Sequence, residues 1–87
     1  MNPWTVEYSP RAAAQTRGLP ASAFEALTHT LAQVIRDPWA ATWPDRPGTP
    51  FAAWRWTSFD DDQGAVHVRL DAAERLVWVY DVTWIGP

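Results

Sequence analysis

Two strands and the turn between them are written in Gly64-Ala65-Val66-His67-Val68-Arg69-Leu70-Asp71-Ala72-Ala73-Glu74-Arg75-Leu76-Val77-Trp78-Val79-Tyr80-Asp81-Val82-Thr83-Trp84-Ile85. Val66, Val68 and Leu70 recur at a period of two, which puts an apolar face on the first strand and leaves His67 and Arg69 on the other. Asp71 to Glu74 supplies the turn. Beyond it, Leu76, Trp78, Tyr80, Val82 and Trp84 alternate with Val77, Val79 and Ile85, interrupted only by Asp81 and Thr83. A strand apolar on both sides is covered on both sides, so this last strand is predicted to be central in its sheet.

Working back towards the N-terminus, Asp60-Asp61-Asp62-Gln63-Gly64 reads as a hairpin loop. Before it, Trp54 and Trp56 face one way, with Ser58 in step, while Ala53, Arg55, Thr57 and Phe59 face the other. The last three strands therefore form an antiparallel meander. Pro38, Pro44, Pro47 and Pro50 forbid regular structure between them, and Trp39 and Trp43 are expected to anchor this stretch as an ordered loop. Upstream, Phe24, Leu27, Leu31, Val34 and Ile35 make one apolar stripe at helical spacing, opened near Pro20 and Ser22 and stopped by Asp37-Pro38. A shorter helix is predicted from Pro10, capped by Ser9 at its start and by Gly18 in a left-handed conformation at its end. Trp4, Val6 and Tyr8 alternate with Thr5 and Glu7 as an opening strand, which pairs best, and in parallel, with the central last strand. The expectation is one α+β domain over residues 1–87, β-α-α-β-β-β, with two helices packed on one face of a four-stranded, mostly antiparallel sheet.

Composition sets the outer limits. A chain of 87 residues has material for one core, and 47% hydrophobic with 14% aromatic residues, seven of them Trp, leads one to expect the tryptophans inside it. With no cysteine there is neither a disulfide framework nor a thiolate metal site. Met1-Asn2-Pro3-Trp4 lacks the basic and apolar regions of a signal peptide and no apolar run has membrane-spanning length, so a cytoplasmic protein without membrane contact is expected. A formal net charge of -3 argues against a general nucleic-acid binder. No phosphate-binding glycine loop, nucleophile elbow, zinc spacing or dinucleotide fingerprint occurs, and no cofactor is expected.

The ordered set resembles the RelE/ParE superfamily of toxins from type II toxin–antitoxin pairs. The resemblance runs from Trp4-Thr5-Val6-Glu7-Tyr8-Ser9-Pro10 to Val77-Trp78-Val79-Tyr80-Asp81-Val82-Thr83-Trp84, through Leu19-Pro20 between the helices, Asp37-Pro38, Arg55 and Gly64-Ala65-Val66-His67-Val68. It implies a RelE-like fold, a cognate antitoxin partner, and either ribosome-dependent mRNA cleavage or action on DNA gyrase. RelE-type cleavage needs no metal: cations stabilise the phosphate while a proton-transfer group helps the ribose 2′-OH attack it. Against that pattern the basic set here is depleted. Arg55 matches the second-strand cation, but Gly64-Ala65 stands where the third strand would open with arginine, and Gly86-Pro87 where a basic residue and a tyrosine would follow the last strand.

Arg55, His67 and Arg69 are the candidate catalytic residues, brought together if their two strands pair in register. Against this stands a plainer reading in which His67 is a solvent-facing strand histidine and both arginines pair with acids such as Glu7 or Asp81. Asp60-Asp61-Asp62 reads as a solvated hairpin tip rather than a metal site, and His29 as surface. Two functions follow: an mRNA interferase acting with ribosome and mRNA, or a catalytically silent RelE-like module that binds an antitoxin-like protein. Oligomeric state, a homodimer included, is left open.

Overall fold

A computed structural model describes residues 3–86. Its elements are β1 (Thr5–Tyr8), α1 (Pro10–Arg17), α2 (Ala21–Val34), α3 (Pro38–Ala41), β2 (Trp43–Pro44), β3 (Trp54–Phe59), β4 (Gly64–Asp71) and β5 (Leu76–Trp84). The sheet order is β1-β5-β4-β3-β2. β1 runs parallel to β5, with Thr5 opposite Leu76 and Tyr8 opposite Val79, and all other pairings are antiparallel. The α+β class, the meander, the parallel pairing and the central last strand are as the sequence predicts. The sheet has five strands rather than four, because Trp43–Pro44 inside the proline-rich segment pairs with Trp56 and Arg55. Asp37 does stop α2, and its carboxylate then accepts from the Ala40 N–H to start α3.

Helix starts and stops follow local chemistry. The Ser9 hydroxyl accepts from Ala12 N–H at 3.0 Å with Pro10 at the first helical position. Gly18 ends α1 in a right-handed conformation, φ -86°, and not the left-handed one expected of it. Left-handed backbone is found instead at Asp60, Asp61, Asp62 and Arg75, in the two hairpin turns.

The core is aliphatic. Ala12, Leu27, Leu31 and Val34 from the helices meet Phe59, Val66, Val68, Leu70, Val77, Val79 and Val82 from the sheet, all buried. Burying each larger side chain contributes about 1.5–3 kcal/mol. No tryptophan is among the buried core residues; Trp4 and Trp84 pack at its margin, and Trp54, Trp56 and Trp78 are half-buried. The expectation that the tryptophans fill the core is overturned, because β-strand alternation places Trp54, Trp56 and Trp78 on the face that no helix covers.

A bulge explains the other departure. Val68 lies opposite Val79 and His67 opposite Asp81, so Tyr80 has no partner across β4. The slip of one residue moves Val82 and Trp84 onto the helix side with Val77 and Val79, opposite Val66 and Gly64, and leaves Ile85 86% exposed. At the same place β1 has ended, and α1 finishes the edge of β5. Gln15 Oε1 accepts from Val82 N–H at 2.6 Å while its Nε2 donates to Asp81 Oδ1 at 2.8 Å, and Arg11 approaches the same carboxylate at 3.4 Å. No helix among the described residues is long and apolar enough to cross a membrane.

Candidate functional site on the uncovered sheet face

Alternation within β3, β4 and β5 gathers Trp54, Trp56, His67, Arg69, Trp78 and Tyr80 on the face opposite the helices. His67 is centred there, paired with Trp56 on one side and Asp81 on the other. The unpartnered Tyr80 lies with its ring centroid 6.0 Å from the imidazole and 5.0 Å from Trp54, edge-on to the indole. A bulge beside a cluster of polar groups re-aims a side chain, and here the side chain is this phenol.

Asp45 closes the cluster from the proline-rich segment. Its backbone N–H donates to Trp54 C=O at 2.9 Å, which fixes the residue against the end of β3. One carboxylate oxygen then lies 3.6 Å from His67 Nδ1 and the other accepts from the Tyr80 hydroxyl at 3.3 Å. The first distance is ionic contact rather than a hydrogen bond. Burial, then the Asp45 charge and its hydrogen bond, push the Tyr80 phenol up to about 12, against a smaller opposing effect of Arg46. Tyr80 therefore stays neutral at neutral pH, with its hydroxyl donating to Asp45. Arg46 itself lies over the Phe51 ring at 5.4 Å.

The three candidates from the sequence do not meet. His67 and Arg69 share the uncovered face, two residues apart on β4. Arg55 is opposite Val68 and so points to the helix side. There its Nε donates to the Thr42 hydroxyl at 2.6 Å, its Nη2 to the carbonyls of Thr42 and Trp39 at 2.7 and 3.2 Å, and its guanidinium lies 5.2 Å from the Trp39 ring. The register separates the expected three: Arg55 lies opposite Val68 on the helix side, whereas His67 and Arg69 lie opposite Trp56 and Trp54 on the uncovered side. Arg55 instead ties α3 and β2 to the sheet, which positions the segment that delivers Asp45.

A second surface feature lies at the far edge of the sheet. Among the described residues β1 has no strand on its outer side, and Val6, Tyr8, Phe24, Leu31 and Ile35 line an apolar groove of about 370 Å³ between it and α2. Burial raises the Tyr8 phenol.

Among solved structures, a chain of the toxin–antitoxin complex RelBE2 from Mycobacterium tuberculosis superposes with a TM-score of 0.80 over 95% of this chain and 99% of that one, at 19% identity. The isolated E. coli RelE toxin gives 0.78 over 97% and 86%, at 18% identity. The fold is that of the RelE toxins. An E. coli RelE variant in complex with an antitoxin RelB peptide gives 0.77 over 99% and 87%, at 17% identity. No family model matches the sequence, and no curated protein matches it either.

Within this RelE-like fold, Asp45 and Tyr80 are the site residues that sequence reasoning missed. Tyr80 had one signal: Asp81, next to it, breaks an otherwise apolar strand. Asp45 had none, because a loop among prolines carries no periodicity from which to read a direction.

Proposed function

We propose that this chain, a single RelE-like domain over residues 1–87, is a toxin of a type II toxin–antitoxin pair that inhibits translation by cleaving mRNA on the ribosome, in the cytoplasm, with a reduced active site. The observation that carries this reading is the Asp45–His67–Tyr80 cluster beside Arg69 on the uncovered sheet face. His67 takes the proton of a ribose 2′-OH through Nε2, and the 2′-oxygen attacks the adjacent phosphorus. As the P–O5′ bond breaks, the Tyr80 hydroxyl gives its proton to the departing oxygen and is reprotonated from solvent. Asp45 faces Nδ1, orients the ring and attracts it once it is charged. Arg69 supplies the cation for the phosphate, and Arg55 acts only through the loop it holds.

The cognate antitoxin is proposed to cover the outer edge, where the unpaired β1 accepts a strand and the apolar groove against α2 accepts the side chains of that segment. One observation favours the silent interaction module instead: the bonds of Arg55 to Thr42 and Trp39 leave Arg69 as the single candidate arginine on the face with His67. Induced expression followed by mapping of mRNA ends on ribosomes separates the two. Cleavage by the native chain and none by His67→Ala supports the ribonuclease; growth and transcripts indifferent to both forms leave the binding module.

A further inference from the structure

β1 pairs with β5 only as far as Val79, where Ser9 N–H donates to its C=O at 2.8 Å and Pro10, which has no N–H, turns the chain into α1. Past that point the outer edge of β5 has no strand beside it among the described residues, and there the bulge falls, with Asp81 opposite His67 and Tyr80 without a partner across β4. Gln15 stands in for the missing strand. It is half-buried, three residues after the buried Ala12, on the side of α1 that faces the sheet. Its Oε1 accepts from Val82 N–H at 2.6 Å and its Nε2 donates to Asp81 Oδ1 at 2.8 Å. The amide can point only one way, since a backbone N–H needs an acceptor and a carboxylate needs a donor. Arg11 approaches the same carboxylate oxygen at 3.4 Å, but its side chain is 75% exposed and adds little.

Resting on the mRNA-cleavage reading, we infer that Gln15 is a positioning residue for that reaction: by clamping Asp81 and Val82 to α1 it holds the bulge in place and so aims the Tyr80 phenol at His67. A bulge sets two residues against one, and which of Tyr80 and Asp81 pairs with His67 is decided by the residue held at the outer edge. With Val79 fixed by Ser9, and Asp81 and Val82 fixed by Gln15, Tyr80 is the residue left to bow out. Its ring then lies 6.0 Å from the imidazole and 5.0 Å from the Trp54 ring, with its hydroxyl on Asp45 at 3.3 Å. Released from the clamp, Tyr80 and Asp81 exchange roles and the phenol leaves Asp45. The clamp needs a carboxamide of this length. Glutamate would still accept from Val82 but would set a second carboxylate against Asp81, and asparagine is one methylene short.

The test reads the geometry of the free, folded protein, so it does not depend on cleavage. Nuclear Overhauser contacts of the Tyr80 ring with His67 and Trp54 are compared in the native chain, in Gln15→Leu, in Gln15→Glu and in the double variant Gln15→Glu/Asp81→Asn. The native chain is expected to show both contacts. Gln15→Leu, close in size but without either bond, and Gln15→Glu are expected to lose the contact with His67 while the core signals of Val66 and Val77 stay in place. The double variant is expected to regain it, because the new amide at position 81 donates to the new carboxylate at position 15. A residue that only closed a sheet edge would lower the unfolding midpoint of the single variants and leave these contacts unmoved. Contacts absent from the native chain, contacts unchanged in a folded single variant, or no recovery in the double variant overturns the assignment. Loss of the fold in both single variants overturns it too, since Gln15 would then hold the fold and not the phenol. In ribosome-dependent cleavage kcat is expected to fall about 10²-fold in Gln15→Leu with KM unchanged. If the contacts respond as expected and no form cleaves mRNA, the cleavage reading falls and the control of the bulge by Gln15 stands.

Discussion

The two faces of one sheet are built to different rules. On the helix side, valines, Leu70 and Phe59 are buried against α1 and α2, with Ser9 capping α1 and Gln15 closing the edge of β5. On the uncovered side, three half-buried tryptophans, Tyr80, His67 and Arg69 make a surface whose polar groups meet one another across Asp45. The first arrangement maximises apolar area removed from water, which is what stability needs. The second keeps large aromatic and ionisable groups within reach of solvent, which stability does not require and recognition does. The lesson is that aromatic content by itself does not locate a core.

The division is broken most severely if His67→Ala unfolds the chain. On the reading above it removes the proton-transfer group, so ribosome-dependent cleavage should fall by about 10²–10⁴-fold. Its melting temperature should stay close to that of the native protein, because the ring is half-buried on the uncovered face. The mirror experiment is Leu27→Ala on α2, fully buried against the sheet. It should cost about 2–5 kcal/mol in denaturant unfolding with little direct effect on the chemistry of the folded fraction. A Leu27→Ala loss below about 1 kcal/mol would mean that the aliphatic side does not carry the fold.

Arg55 joins the two sides and sharpens the comparison. Arg55→Ala removes three hydrogen bonds that hold Thr42 and the carbonyl of Trp39, one of them to the buried Thr42 hydroxyl. A loss of about 1–3 kcal/mol is expected, and Arg55→Lys should recover little of it because an ammonium cannot reproduce the planar fork. Activity should fall with the loop that delivers Asp45, and a cleavage defect without any change in stability would return Arg55 to the role of a direct phosphate contact.

Most of the fold could be read from periodicity because strands and helices write their buried faces into the chain at fixed spacing. The stripe from Phe24 to Ile35 and the alternation from Val66 to Leu70 are local facts. What periodicity could not give was anything that depends on pairing. The register that separates Arg55 from His67, the bulge at Tyr80 that moves Val82 and Trp84 across the sheet, and the return of Asp45 to Trp54 are all set by which residues lie opposite each other. Composition misled for a related reason, since seven tryptophans in a short chain read as core until strand registration puts three of them outside it.

The smallest effect tests the junction of the two regions, where the loop meets the bulge. Tyr80 is pushed up to about 12, first by burial and then by Asp45, so folding favours the neutral phenol. Below the ordinary tyrosine value of about 10, both folded and unfolded chains hold the proton and the contribution to stability is complete. Between that value and about 12 the unfolded chain releases its proton while the folded one keeps it, so stability falls as pH rises and this contribution is gone above the folded value. Asp45→Asn removes the charge and leaves the burial, so phenolate absorbance should show Tyr80 titrating lower than in the native protein but still above ordinary tyrosine. Measured in a Tyr8→Phe background, where Tyr80 is the remaining tyrosine, the shift is read from one group. An unchanged midpoint would place the Asp45 carboxylate away from the phenol, and with it would go the geometry that lets a loop residue orient His67.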